Sequence, residues 1–515
     1  MLVEKIQYSD EFLEEENIAN NINILWGKVL PILNHRKELY NRYTRKNDTS
    51  DVIVALEYYI STIASGYFGG KEPQYKVRKI NEKQKGIIKK IFNKVFGEKN
   101  NPDEFQTIID YITKYNDNGS FFYDCVKDYI NTGSCYGLIY ENKDNETVYA
   151  HTSSLTSIAI WNYETPNQKI GMLRYWIENT AKGGIETHLE LITTKYKKHY
   201  VDGIEKTGLS ENAEYKFNEK ESTEVLWNDL PVFAVENPDG LALFENVITL
   251  IKKHEQVIRN NANIFQYNDD AKLKITGFTP DNEALIAEED ENGKITMIKN
   301  PARVLEDEAI LNAKVFYTPD NTGDIGWVIK DINDTASENH KKTCLDLALM
   351  ISGVPNVTDT GFTNADNSSA LEKKFFPLDQ VLQQTDKLFK KELLRMWEMI
   401  VSRINIKKST MYDFRDIEVI LTRNLPTNNQ EIVDNWLKLR GLLSDKTVIK
   451  HLPFDLDSES ELAEMDMQTQ NEIDNSMYEV GEEDVVISQQ KDERVETNIQ
   501  QNKQTDTKQT SRNIQ

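Results

Sequence analysis

Apolar residues recur at helical spacing in the first third of the chain. Residues 18–44 predict an amphipathic helix with an apolar stripe of Ile22, Leu25, Val29, Ile32 and Leu33. Residues 51–68 predict a second helix, which Ser50 or Asp51 would cap and Gly69-Gly70 would end. Residues 101–135 predict two more helices. The chain therefore begins as a helical region.

Between residues 136 and 235 the pattern changes to short β-branched or alternating segments. They are separated by Gly, Asn, Asp and Pro, and read YGLIYEN, TSIAIWNY, GMLRYWIEN, HLELITTKY and PVFAVEN. Such segments are typical of antiparallel strands, of which we expect about six. Pro238-Asp239-Gly240 predicts the turn that closes this region.

The second half alternates long helices with a β-rich insertion. One apolar stripe predicts a helix over 241–268, the strand-like segments of 271–331 follow, and a returning helix runs from Asp334 or Thr335 to Gly353-Val354-Pro355. A polar loop, 355–370, then leads into the longest helix, about 370–405, where Pro377 sets either the true start or a kink. The pattern predicts an α+β fold that is mainly helical.

The remaining segments are shorter and more polar. Residues 417–426 predict a strand, and helices are expected at 428–443, 445–451 and 457–475. Residues 489–515 are too poor in apolar side chains to form a core, so we expect a disordered tail over 476–515.

The charge balance restricts the partners of the chain. Asp and Glu number 84 against 61 Lys and Arg, which gives a net charge of −23. A surface that grips nucleic acid normally carries positive charge, so either DNA is not a partner or it is one that must not be held tightly. Three cysteines without a CxxC pair, no basic apolar leader and no long apolar run favour a soluble, intracellular protein without disulfides.

Motifs for catalysis are missing from the sequence. There is no GxxxxGK[ST], GxSxG or HExxH, and the seven histidines are scattered. Gly66-Tyr67-Phe68-Gly69-Gly70 follows a helix rather than a strand, which favours a helix stop over a phosphate cradle. The acidic stretch 281–291 resembles a metal cluster, but a solvated acidic loop is the simpler interpretation. We expect no catalytic residue, cofactor or metal ligand.

The order of elements and four local motifs together resemble the portal proteins of tailed, double-stranded DNA bacteriophages of Gram-positive hosts. The motifs are VIVALEYYISTIASGYFGGKEPQY, FFYDCVKDYINTGSCYGLIYEN, Asn237-Pro238-Asp239-Gly240 with Phe244, and KLRGLLSDKTVIKHLPFDLDSESELAEM. The resemblance covers roughly residues 18–470. It departs at 363–369, where the family often has Ser-Gly repeats and this chain has TNADNSS.

The resemblance implies a portal fold with a long spine helix, a two-helix stem and a β-rich wing and clip. The implied segments are wing 1–235, stem helix 236–270, clip 271–331, stem helix 332–354, tunnel loop 355–370, wing helix and strand 371–426, and crown 427–475.

The resemblance also implies a ring of twelve copies at one capsid vertex, assembled in the host cytoplasm, through which double-stranded DNA is packaged and ejected. Twelve copies would carry roughly −276, a wall that repels phosphates and lets DNA slide. The implied tunnel-loop residues are Thr358, Asp359, Thr360, Asn364, Asp366, Asn367 and Ser368. Weak phosphate contacts would come from Lys341, Lys342, Lys373 and Lys374, which could equally be a solvated surface.

The clip of the family meets the packaging terminase and then the head–tail connector, and the ring also meets capsid and scaffold proteins. In this chain the implied clip surface is Asp281, Glu283, Glu288, Glu289, Asp290 and Glu291. Two alternatives stay open: another virion structural protein, such as a minor head protein or tail adaptor, and a metal-dependent nuclease that uses scattered carboxylates.

Overall fold

The computed structural model describes most of the chain, in two compact units. The described residues are 5–45, 53–78, 102–179, 184–206, 215–269, 272–276, 281–289, 295–312, 323–328, 334–358, 368–425, 429–439, 442, 444–450 and 460–469. The first unit is Met1–Asp359 with Lys374–Asn424, and the second is Thr360–Lys373 with Leu425–Gln515.

The described residues at the start of the first unit form four helices, as the sequence predicts. They are α1 (Glu15–Thr44), α2 (Leu56–Gly69), α3 (Pro102–Tyr115) and α4 (Asn118–Thr132). The apolar stripe of α1 packs on a sheet, where Trp26 meets the rings of Tyr175 and Phe217 edge-on at 5.3 and 5.7 Å. Helix α4 ends at Gly133, whose φ of +75° lies in the region that favours glycine.

Nine strands, β1 to β9, accompany these helices. They are β1 (Gln74–Val77), β2 (Ser134–Glu141), β3 (Thr147–Thr152), β4 (Ser157–Trp161), β5 (Lys169–Asn179), β6 (Ile185–Thr193), β7 (Tyr196–Lys206), β8 (Phe217–Glu224) and β9 (Val232–Glu236). An antiparallel three-stranded sheet has the order β3-β2-β9, and a five-stranded one has the order β4-β5-β6-β7-β8.

The expectation of six strands in the middle region was wrong, because the described residues of that region already form eight. Strand β8, FNEKESTE, buries only Phe217 and exposes the rest of its residues or leaves them at the rim. Strand β8 is an edge strand and carries charged residues at positions where a central strand would have alternating apolar residues. Its sequence therefore lacks the apolar–polar alternation that predicts a strand.

The helix expected over 241–268 begins later. Helix α5 spans Ile248–Asp269 and follows a 3-10 turn at Glu245–Val247. The carboxylate of Glu245 accepts from the amide of Ala242 at 3.0 Å, which holds the preceding residues in a turn instead of a helix. The earlier start was wrong for that reason.

The insertion after α5 contains a helix that the sequence did not reveal. Strand β10 (Lys272–Thr276) pairs with β13 (Asp324–Val328), and β11 (Leu285–Glu289) pairs with β12 (Ile295–Lys299). Helix α6, Pro301–Asn312, lies between them, begins with proline and buries no residue. The segment AKVFYTP, expected as a strand, lies outside the described residues.

Two helices then return the chain to the core. Helix α7 (Asp334–Ser352) packs against α5, and the Ser337 hydroxyl donates to Asn261 at 2.7 Å. Helix α8 spans Ser368–Lys408, so it starts before Pro377 and passes through it. Strand β14 (Ile417–Ile420) pairs with β1. The fold class, α+β and mainly helical, is confirmed.

The second unit contains short helices where they were expected. Helix α9 spans Asn429–Lys438, α10 spans Asp445–Lys450, and residues 460–469 form a third helix, α11. The Ser444 hydroxyl caps α10, since it accepts from the amide of Thr447 at 3.4 Å. The tail 476–515 lies outside the described residues.

The core around α8 yields a stability prediction. Phe389 is fully buried and packs against the rings of Phe68, Phe122 and Tyr129 at 5.5 to 5.6 Å. Phe389→Ala should lower the free energy of unfolding by about 3–5 kcal/mol in urea titration, because it leaves a cavity. The control, Ile406→Ala near the end of α8, removes a side chain that is 62% exposed and should change it by less than about 0.5 kcal/mol. Equal losses would contradict this account of the core.

An ion pair between β2 and α8 yields a pH prediction. Arg403 donates to both oxygens of Glu141, at 2.7 and 2.8 Å, and Lys407 lies 2.6 Å away. These bonds lower the pKa of Glu141 to about 2, although partial burial opposes them. A depressed pKa stabilises the fold above the unfolded value and loses this effect as pH falls through about 2.

Glu141→Gln should therefore cost about 1–3 kcal/mol near neutral pH, and the difference from the unchanged chain should shrink as the pH falls below about 4. Urea titrations across that range measure it. Glu418→Gln is the control, because the pair of Glu418 with Arg78 is exposed and 3.6 Å long. A difference for Glu141→Gln that does not depend on pH would refute the assignment.

Candidate functional site: the junction between α7 and α8 and the insertion

The end of α7 is tightly defined by the structure. Ser352, Gly353 and Val354 are buried, and Gly353 has a φ of +71°. A Cβ on Gly353 would lie 3.0 Å from the carbonyl oxygen of Pro377 in α8, so a side chain does not fit there. The two helices approach closely at this point, and the chain turns sharply after α7.

Helix α2 contacts the chain on both sides of this junction. The Tyr59 hydroxyl donates to the carbonyl of Pro355 at 2.7 Å and accepts from the amide of Val357 at 2.9 Å. Eight residues later, Tyr67 stacks on Phe375 at 5.0 Å with the ring planes 6° apart. No local sequence pattern predicts these contacts, which join residues about 300 positions apart.

Arg423, just after β14, is bound to the first half of α8. It donates to Asp379 at 2.9 Å and to Asp386 at 3.0 Å, and its guanidinium lies 4.7 Å from the ring of Phe68. These carboxylates raise the pKa of Arg423, against the opposing effect of burial, so the charge stays fixed. The GYFGG motif therefore ends α2, as the helix-stop interpretation predicts, and its aromatic side chains pack against Phe375 and Arg423.

The predicted tunnel-loop residues fall mostly outside the described part of the chain. Thr358 is exposed, and its amide and hydroxyl donate to the side chain of Asn356 at 3.1 and 2.7 Å. Ser368 is the first residue of α8, so its placement in a loop was wrong. Helix α8 begins two residues earlier than the expected start at about 370, and this places Ser368 in the helix. The others, Asp359, Thr360, Asn364, Asp366 and Asn367, lie outside the described residues.

The four predicted lysines lie on two helices and differ in their surroundings. Lys341 pairs with Glu338 at 2.6 Å, whereas Lys342 is exposed. Lys373 is exposed and Lys374 is half-buried, both in the first turns of α8. Exposed lysines on a helix can contact phosphate only weakly, because water and salt screen them.

The predicted acidic residues of the insertion sit beside a hairpin. Asp281, Glu283 and Glu288 are exposed, and Glu289 ends β11. Asp290 and Glu291 lie outside the described residues. Glu306 of α6 was not among the predicted residues, and its carboxylate accepts from the amides of Asp281 and Asn282 at 3.0 and 3.3 Å. These bonds, chiefly that from Asp281, lower the pKa of Glu306.

Two apolar surfaces are left uncovered in the described residues. In the insertion, side chains from β11, β12, α6 and β13 are exposed: Leu285, Ile295, Met297, Leu305 and Trp327. At the junction, five apolar side chains of α7 and of the first part of α8 are exposed, and they are named the apolar row: Leu347, Met350, Ile351, Phe376 and Val381. Ile351 and Val381 also line a cleft of about 190 Å³. Surfaces of this kind mark contacts with other molecules.

The described parts of the chain hold neither a metal-binding cluster nor a membrane-spanning helix. Within them, no group of three or more His, Cys, Asp and Glu side chains is arranged to hold a metal ion. Likewise, none of the helices described there combines the length and the apolar character that crossing a bilayer requires.

Comparisons with solved structures give remote likenesses. A chain of "Neck of native GTA particle computed with C12 symmetry" has a TM-score of 0.38 and 9% identity, over 82% of this chain and 94% of that one. A chain of "Virion of native gene transfer agent (GTA) particle" has a TM-score of 0.36 and 10% identity, over 80% and 91%. No curated protein matches significantly.

The sequence comparison with protein families is decisive. Residues 10–475 match the family described as "Phage portal protein, SPP1 Gp6-like". The match includes the helices, the three-stranded and five-stranded sheets, the insertion and the junction described above. This family is structural rather than catalytic. Because the match extends over most of the chain, the chain belongs to this family of phage portal proteins and is a portal protein.

Proposed function

We propose that this portal protein closes into a ring of twelve copies at one vertex of the phage head. The family match over residues 10–475 carries the proposal. The apolar row on α7 and α8 supports it, because a closed ring needs a contact that each copy repeats with its neighbour. A neighbouring copy would cover Met350, which is 67% exposed in the single chain. The role is structural, without catalysis.

We assign the segments of the ring from the order of the elements. The pair α5 and α7 would form the stem, β10–β13 with α6 the clip, and α9–α11 the crown. Residues 1–235 with α8 would form the wing, and the chain between α7 and α8 would form the tunnel loop. Double-stranded DNA would pass along the axis, and Lys342 of α7 and Lys373 of α8 are exposed cations that could meet its phosphates.

The acidic charge of the chain suits a conduit. Each copy carries −23, and a ring wall of that sign repels the phosphates of DNA. A basic wall would bind DNA by releasing counterions and would oppose its movement. Weak, exposed lysines within an acidic ring would guide the polymer without holding it.

The insertion is the candidate docking surface for the packaging terminase and, later, for the head–tail connector. Its exposed acids, Asp281, Glu283 and Glu288, lie on the same insertion as the exposed apolar residues Leu285 and Met297. Apolar contacts supply affinity, and charges at the rim tune rate and specificity, which suits the exchange of one partner for another. Contacts with capsid and scaffold proteins would involve the wing, and assembly would take place in the host cytoplasm.

The ring contact can be tested by placing a charge on the apolar row. Met350→Glu should leave the melting temperature of the single chain nearly unchanged, because the side chain is exposed. It should weaken association between copies by at least about tenfold, since a buried unpaired carboxylate costs more than one factor of ten. Mass photometry over a concentration series measures this.

The control for this test is Ile24→Glu, which charges an equally exposed apolar position on α1. We expect this variant to assemble as the unchanged chain does. Rings of Met350→Glu that form at the same concentration as those of the control would exclude the apolar row from the contact between copies.

Docking can be tested by reversing two charges of the insertion. Glu283→Lys with Glu288→Lys should slow the association of terminase by roughly three- to tenfold at low salt, and less at high salt. Glu221→Lys with Glu224→Lys, two exposed glutamates of β8, is the matched control. Association rates are measured by surface plasmon resonance. If both pairs of reversals act alike, the insertion is not the docking surface.

A further inference from the structure

We propose that Tyr59 is a positioning residue, which fixes the direction in which the chain leaves α7 for α8. The proposal rests on the function proposed above, in which the segment between these helices faces the DNA. Tyr59 lies in the first turns of α2, 296 positions from Pro355 in the sequence. It would act on DNA only through the course of the main chain that it holds.

The Tyr59 hydroxyl is used in both of its roles at once. Its O–H donates to the carbonyl of Pro355, and its oxygen accepts from the amide of Val357. Burial raises the pKa of Tyr59, so the phenol stays protonated and keeps its donor. Because the two partners are two residues apart, the hydroxyl holds the main chain between them in one course.

This contact extends the ordered end of α7. The chain is fixed by burial as far as Val354, and the next residues are only half-buried. Tyr59 contacts those residues through Pro355 and Val357, and Thr358, immediately after them, is exposed. Among the described residues that follow α7, the Tyr59 hydroxyl is therefore the contact with α2 that holds the main chain nearest to exposed Thr358.

Helix α2 is a firm base for that attachment. Glu57, two residues before Tyr59, is fully buried and accepts from Arg42 and from Arg45, the latter at 2.6 Å. Arg45 also donates to Glu255 of α5. A buried charge with two partners is costly to disturb, so α2 is tied to the α5 side of the pair formed by α5 and α7.

The same helix holds the other side of the junction. Tyr67 stacks on Phe375 of α8 and lies eight residues after Tyr59, so the two rings are on one face of α2, roughly 12 Å apart along its axis. The end of α7 and the start of α8 thus share one rigid reference. A change at Tyr59 should redirect one side of the junction and leave the other in place.

A matched pair of variants separates this role from ordinary packing. Tyr59→Phe removes both hydrogen bonds and keeps the ring. Tyr58→Phe removes the neighbouring hydroxyl, whose ring stacks on Tyr43 and which has no hydrogen-bond partner among the described residues. Hydrogen exchange of the full chain, followed at the amide of Val357, should accelerate by at least about tenfold in Tyr59→Phe only.

Three results of the exchange measurement are possible. Acceleration confined to 355–358 supports the proposal. Acceleration that spreads equally through α2 and α4 would mean that the hydroxyl holds the fold rather than the junction, which overturns it. An unchanged rate at Val357 overturns it as well.

The second readout is DNA packaging by heads assembled with each variant. Tyr59→Phe should form rings normally but package DNA at a rate lower by about threefold or more. The reason is that in fewer copies the main chain after α7 would follow the path that packaging requires. Tyr58→Phe should package as the unchanged chain does. Equal packaging by both variants, with rings intact, overturns the positioning role. If the unchanged chain itself forms no ring and packages no DNA, the proposed function is wrong. The hydrogen-exchange measurement then still tests the contact of the Tyr59 hydroxyl independently.

Discussion

The burial of one aromatic side of helix α8 is the constraint on which the rest of the structure depends. Phe389 touches rings from α2 and α4, and Trp397 meets Tyr75 of β1 edge-on at 5.0 Å. Aromatic contacts of this kind combine a large buried area with a defined geometry. They fix one helix against elements from the start of the chain, and the junction between α7 and α8 inherits its position from them.

The apolar side chains fall into two groups: those buried in this core and those left exposed on the single chain. The three- and five-stranded sheets, α1, α2, α4 and the aromatic side of α8 bury apolar side chains within one chain. In contrast, α6, the hairpin of β11 and β12, and the apolar row around Met350 leave apolar side chains exposed. A monomer with such surfaces is incomplete. Copies of itself and successive partners at the insertion would cover them, which is why a repeated assembly explains the chain better than an isolated one does.

Much of the fold could be predicted from periodicity, and the reasons for the rest are physical. The apolar stripe of α8 predicted its existence, and its start was missed by two residues, which moved Ser368 from a loop into a helix. Strand β8 was missed because an edge strand carries charge. The contact of Tyr59 with Pro355 has no local signal, since only the folded chain brings these residues together. The portal family could be identified because the order of the elements over the whole chain is a stronger signal than any single motif.

The central claim is that many copies of this acidic chain close around a channel. Electron microscopy of the purified full-length protein, viewed along the particle axis, tests it most directly. We expect hollow rings with twelve repeated units and a central opening wide enough for a DNA duplex. Single chains at every concentration and ionic strength, or particles without an axial opening, would contradict it.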